Sequence, residues 1–229
     1  QPQSKVHQTR APKPSAQEVD LRRIALPRAA GVLRPAEILE GAGWSRRAAV
    51  VRDLARLVRH ESLWPWPTLR PCHRVAADVE LKLIERLLDL DMACLIAEDR
   101  IPMAPDGTKL RGGWFAVEHT RGRQRLFFDR RPQNATEEPL SEWIDLPAGC
   151  QLCFQHLDPQ ETLRASGDDL ECFFYTLRHE DNWVSHNAVG RKVSGRSFQR
   201  YGAKPGQDYR VCLKVVAMGD QNGVAIAQA

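Results

Sequence analysis

Apolar and polar positions alternate along this chain with two different periods. Trp44, Ala48, Val51, Leu54, Leu57 and Val58 recur at three- and four-residue steps, while Arg46, Arg47, Arg52, Arg56 and Arg59 mostly take other faces. That spacing predicts an amphipathic helical segment opened by Pro35-Ala36-Glu37. Trp64-Pro65-Trp66-Pro67 ends it, because proline removes a donor and restricts the residue before it. The plain reading is a helix packed on a core, and its basic outer face is compatible with contact to a phosphate backbone as well. A second helix is expected in ADVELKLIERLLDLDMACLIAE, where Val79, Leu81, Leu83, Ile84, Leu87 and Leu88 form a broad apolar stripe.

The period then shortens. WFAVEH (114–119) and RQRLFFD (123–129) are short and rich in aromatic or β-branched residues, with Thr120-Arg121-Gly122 between them. They predict a β-hairpin. On its second strand Leu126 and Phe128 face one way, and Arg125, Phe127 and Asp129 the other. Residues 132–149 read as a loop, CQLCFQHL (150–157) as a strand candidate, and ECFFYTL (171–177) as the start of the next ordered element. Helices and strands mix without regular alternation, which argues an α+β fold. Residues 1–30 are rich in Gln, Pro, Ser and Arg without apolar periodicity, and are expected to form a disordered basic tail.

Composition narrows the partners. Hydrophobic residues are 42% and charged residues 27% of 229 positions, ordinary for a globular protein. No apolar run reaches the ~18–20 residues that span a bilayer, so no membrane partner is expected. The first thirty residues lack the apolar centre of a secretory signal, so an intracellular location, cytoplasmic or nuclear, is expected. The chain begins with Gln, which reads as an internal or processed piece of a longer product. Net charge is +4. That permits a nucleic-acid partner without demanding one. Arginines cluster at Arg22-Arg23, at Arg46-Arg47 and along 121–131, and a solvated face is the competing reading of each cluster. Cys150 and Cys153 have C-x-x-C spacing with His156 after them, but a structural zinc site takes four ligands and the fourth is not evident. The chain contains no GxxxxGK[ST] and no HExxH, and its one Asn-x-Thr sequon, at Asn134, carries weight only in a secreted protein.

Three short blocks carry the chemistry. In GRQRLFFDRRPQN (122–134), a hairpin bearing several arginines can close over a triphosphate, since guanidinium groups bind phosphate oxygens in paired geometry. In Gly167-Asp168-Asp169-Leu170, adjacent carboxylates precede an apolar run. Burying an ionised carboxylate is costly unless it is paired or bound to a cation. An exposed helix start, where Asp caps well, is the other reading. In MGDQNGVAIAQA (218–229), glycine before a small-residue helix allows close backbone approach to a ligand, and a plain loop–helix junction is the alternative.

Together these blocks resemble reverse transcriptases of retrotransposon-type elements. The pattern G-x-x-R-x-x-x-D-x-R-x-x-N, with Gly122, Arg125, Asp129, Arg131 and Asn134, is similar to that family's fingers motif. Asp169 followed by Phe174 matches its first palm motif, and Gly219, Asn222, Ala225 and Gln228 match its F-G-x-x-N-A-P-x-x-F-Q motif. The departures are Glu118 and His119 where a lysine is usual, with Arg121 the nearest cation, and Met218, Asp220, Gly223, Val224 and Ala227 in the third block. The resemblance covers roughly 78–229. It implies fingers (76–160) and the leading part of a right-hand palm (161–229), following the N-terminal helical segment (31–75) that the apolar spacing predicts.

The function it implies is an RNA-directed DNA polymerase. Such an enzyme adds dNTPs to a primer on an RNA or DNA template, with Mg²⁺ (or Mn²⁺) in a two-metal phosphoryl transfer. Arg125 and Arg121 would grip phosphates, Gly219 would support template and nucleotide, Phe174 would sit under the sugar, and Asp169 would be the catalytic metal ligand. The family's remaining metal aspartates belong to a Y-x-D-D-like hairpin, and no such tetrapeptide occurs in this sequence. The 229-residue chain alone is therefore expected to be inactive in primer extension. A non-catalytic nucleic-acid-binding module derived from such an element, and an unrelated interaction protein matching by chance, are the alternatives.

Overall fold

A computed structural model describes residues 15–119, 122–144, 156, 158–162, 164, 170 and 172–228. It mixes helix and sheet, as an α+β chain should. Three strands form an antiparallel sheet in the order β1-β5-β4, with β1 Ala93–Ala97, β4 Ala188–Ser194 and β5 Asp208–Leu213. Two others, β2 Gly113–Glu118 and β3 Gln124–Asp129, make the expected hairpin. The two sheets meet where Gly112 donates to the Ala188 carbonyl (2.9 Å) and Gly190 donates back to Gly112 (3.1 Å). Close approach needs glycine there: a Cβ on Gly112 would lie 2.1 Å from the Phe128 ring.

Helix α3 (Ala77–Asp89) buries Leu83, Ile84 and Leu87 against this core, together with Trp114, Leu126, Phe128, Tyr175 and Val211. Leu81, expected on the buried stripe, is exposed, and Glu80 is buried in its place. Glu80 is held there by polar contacts. It accepts from the Arg191 backbone N–H (2.8 Å) and Nη1 (2.5 Å), and pairs with His73 Nε2 (3.3 Å). Its neighbour Gly190 sits at φ +78°, and a Cβ there would fall 2.1 Å from the carboxylate.

Several expectations are corrected. The second helix stops at Asp89, and Ala93–Ala97 is strand β1. Asp91 takes a left-handed φ of 53° at the break, and β5 supplies the hydrogen-bonding partner that a short apolar run requires. The N-terminal helical segment is two short helices, α1 (Pro35–Gly41) and α2 (Ser45–Arg52), followed by 3-10 turns at Leu54–Leu57 and Glu61–Leu63. Gly43, at φ +82°, separates the first two. These helices pack through Leu39, Ala48, Val51 and Leu54 against Trp183 and against Ala225 and Ile226 of the last helix, α5 (Gly223–Gln228).

Residues 15–30, expected in the mobile tail, lie on the hairpin instead. Val19 and Ile24 are buried. Gln17 exchanges backbone hydrogen bonds with Ala116, and the buried Gln124 amide bonds Gln17, Glu18 and Asp20. Within the loop expected at 132–149, a helical turn (α4, Arg131–Asn134) and a 3-10 turn (Ser141–Trp143) form. The strand candidate at 150–157 lies outside the described residues except for His156. Strand β1, within 76–160, pairs with β5, within 161–229, so one sheet draws on both ranges. Among the described residues no helix is long and apolar enough to cross a membrane.

Candidate functional site

The hairpin builds one wall of the site. Alternation along β3 buries Gln124, Leu126 and Phe128 and leaves Arg125 and Phe127 on the outer face, as expected. Phe115 and Phe127, opposite each other in register, stack at 5.2 Å on that face. Arg125 is exposed, with Nη2 3.4 Å from His119 Nε2, and among the described residues no carboxylate pairs with it.

Asp129 departs from the alternation and is buried. It accepts hydrogen bonds from Arg131 Nε (2.8 Å) and Nη2 (2.6 Å) and from the Cys72 backbone N–H (2.5 Å). Burial alone would raise its carboxyl, but these bonds outweigh that and hold it below the usual carboxylate range. Asp129 and Arg131 therefore fix the exit from β3.

The first and third blocks are joined. Phe128 donates to the Met218 carbonyl (3.0 Å), and the Asn134 amide donates to the Gly219 carbonyl (2.8 Å). Gly219, at φ +116°, lies so close that a Cβ would sit 1.9 Å from the Phe128 carbonyl oxygen. Beneath this junction Arg130 is fully buried. It makes a two-pronged bond to Glu137 (2.8 Å each) and further bonds to Asn187 (3.0 Å) and Asn134 (3.0 Å). Burial works against its charge, yet Glu137 and Asp220 more than offset that and keep it protonated.

The second block arrives through a 3-10 turn at Phe173–Thr176. The buried Tyr175 hydroxyl donates to the Leu126 carbonyl (2.8 Å), which ties the turn to β3. Burial pushes that phenol up, so it stays a donor. Phe173 and Phe174 remain half-buried beside it.

Between these parts lies a cleft of about 700 Å³, lined by His119, Arg123, Arg125, Phe173, Phe174 and Met218 among others. Two of the predicted nucleotide-binding residues, Arg125 and Phe174, thus share one cavity. Gly219 follows Met218 and lines a smaller apolar cleft with Phe115, Phe127 and Arg131. Arg121 and Asp169 lie outside the described residues. Sequence reasoning did not single out Tyr175 or Ala25 for this cavity. Tyr175 carries a signal in hindsight, as a phenol inside an apolar run that must find an acceptor. Among the described residues no group of three or more His, Cys, Asp and Glu side chains is placed to hold a metal ion.

The chain matches no protein-family model, and comparison with curated proteins and with solved structures gives no match.

Proposed function

We propose that the chain is the fingers and leading palm portion of an RNA-directed DNA polymerase, acting as its nucleotide-holding part. One observation carries the reading: residues from all three blocks, Arg125, Phe174 and Met218, line the same cleft although nothing in their spacing requires it. An arginine with no carboxylate partner among the described residues, beside half-buried aromatic rings, suits a triphosphate joined to a sugar and a base. Gly219, packed against the Phe128 carbonyl, holds the neighbouring Met218 in the cleft wall.

In this reading Asp169 is the metal-binding carboxylate. A divalent ion, when bound, would neutralise phosphate charge. The described residues present no site of their own for it, so the proposal runs through the side chains of the cleft. One such carboxylate holds Mg²⁺ weakly, so the activity to measure is nucleotide binding rather than extension.

The test is equilibrium binding of a dNTP to the full chain in the presence of Mg²⁺. Arg125→Ala is expected to weaken it at least about tenfold, the scale of one charge-assisted phosphate contact. Arg131→Ala is expected to leave the intrinsic affinity within about threefold. A chain that binds no dNTP, or an Arg125→Ala variant that binds like the parent, overturns the reading.

A further inference from the structure

A second cleft, of about 790 Å³, adjoins the first and shares Ala25 and Arg123 with it. Among the described residues its lining carries five arginines, Arg22, Arg23, Arg28, Arg86 and Arg123, and no acidic side chain. Most of it is built by residues 22–29, which the resemblance at 78–229 does not cover. Outside the lining, Asp20 pairs with Arg22 (3.2 Å) and Glu118 with Arg23 (2.5 Å). Arg86 is held in place by a bond from Nη1 to the Leu21 carbonyl (3.1 Å). The segment itself is anchored, with Ile24 buried and Ala25 donating to Gln124 (3.3 Å). The arginines therefore sit on a fixed wall rather than on a waving tail.

We infer that this arginine cleft is a binding site for the sugar–phosphate backbone of a single-stranded nucleic acid, whose bases turn into the adjoining aromatic cleft. Guanidinium groups recognise phosphate oxygens in paired geometry. Arginines beside half-buried aromatic rings are the combination that tracks a single strand, because its bases are free to stack and those of a duplex are not. The inference rests on the proposed function only for what the strand is doing there. Strand affinity itself is a property of the arginine wall and is tested apart from dNTP binding.

The probe is a fluorescent oligothymidylate of about 12 nucleotides, within the usual range of single-strand site sizes, titrated with the full chain across a salt series. Arg22 and Arg28 are exposed, so R22Q/R28Q is expected to keep the fold. Each phosphate contact contributes about 0.7 to the slope of log affinity against log salt. The double variant is expected to lower that slope by about 1.4 and the low-salt affinity at least about tenfold, with dNTP affinity unchanged. R46Q/R100Q removes the same charge from exposed positions outside the cleft and is expected to bind like the parent. Equal weakening by the two double variants would reduce the effect to net charge and overturn the inference. So would parental binding by R22Q/R28Q, or tighter binding to phosphatidylserine vesicles than to the oligonucleotide. Loss of dNTP binding in R125A with strand binding intact would strengthen both readings.

Discussion

The Asn134 side chain spans two segments 85 residues apart in sequence, donating to the Gly219 carbonyl at 2.8 Å. Its oxygen meanwhile accepts from Arg130 Nη1 at 3.0 Å and lies 3.4 Å from the Gln221 backbone N–H. One amide thus closes the corner where the hairpin meets the loop before α5. Asn134→Ala removes these bonds and leaves a buried guanidinium donor short of a partner. The expected cost is about 1–3 kcal/mol, read as a lower urea midpoint at unchanged m-value. Asn134→Asp, which keeps the acceptor, is expected to lose less.

Gly219 is a backbone requirement and not a preference. A Cβ at this position would overlap the Phe128 carbonyl, which belongs to a paired strand and cannot swing aside. Gly219→Ala is expected to destabilise by about 2–4 kcal/mol, since it combines strain at positive φ with a forced backbone shift. Thermal melting checks this. Gly107→Ala, also at positive φ but with open space around its Cβ, isolates the torsional part and should cost less.

Arg130 and Glu137 form an ion pair with both side chains almost wholly out of water. Removing one partner strands the other charge. Arg130→Met is expected to cost about 3–5 kcal/mol. Replacing both, as R130M/E137L, is expected to restore a large part of that loss. A double-mutant cycle in urea measures the coupling. Additive single effects would mean that the pair does not act as a unit.

Acid should destabilise the protein before Asp129 and Glu80 titrate. His179 is buried and His186 half-buried, and burial lowers each from 6.5 to about 4, opposed at His179 by the Asp220 carboxylate and helped at both by the Arg130 charge. Between those values the unfolded chain binds protons that the folded chain refuses. Stability therefore falls as pH drops from about 6.5 to about 4 and levels off below, by at most ~1.4 kcal/mol per pH unit for each histidine. Asp129 and Glu80 are both held below the carboxylate range, so their contribution is lost only at lower pH. Urea midpoints at pH 7 and pH 5 test the window, and H179Q/H186Q should flatten it.

The sequence was most readable where structure is local. The hairpin follows from two short alternating runs around a glycine-containing turn, and both strands form as expected. Helix α3 was legible through Asp89, where its apolar spacing holds. Beyond that, ACLIA is too short and too uniformly apolar to distinguish helix from strand. Its state is decided by β5, more than a hundred residues away. Strands β4 and β5 escaped notice for a related reason. Gly190 and the Val189–Val193 irregularity interrupt the alternation in β4, while five of the six β5 residues are buried and show no two-residue period. The 15–30 segment has the composition of a tail, and the two buried side chains that anchor it, Val19 and Ile24, are too few to make a pattern. At the site, Arg125 and Phe174 could be named from spacing, but the tie from Tyr175 to Leu126 could not.

The strand order β1-β5-β4 also bears on how the chain acquires its shape. The central strand is the last of the three to leave the ribosome. Until residues 208–213 emerge, β1 and β4 each present an unsatisfied edge, and α3 has only half of a sheet to rest on. The β1–β5 pairing, distant in sequence, carries a large loop-closure cost and forms slowly. A nascent chain stalled before β5 should therefore be sticky and protease-sensitive, and the cleft should become competent only after that strand is threaded between its two neighbours.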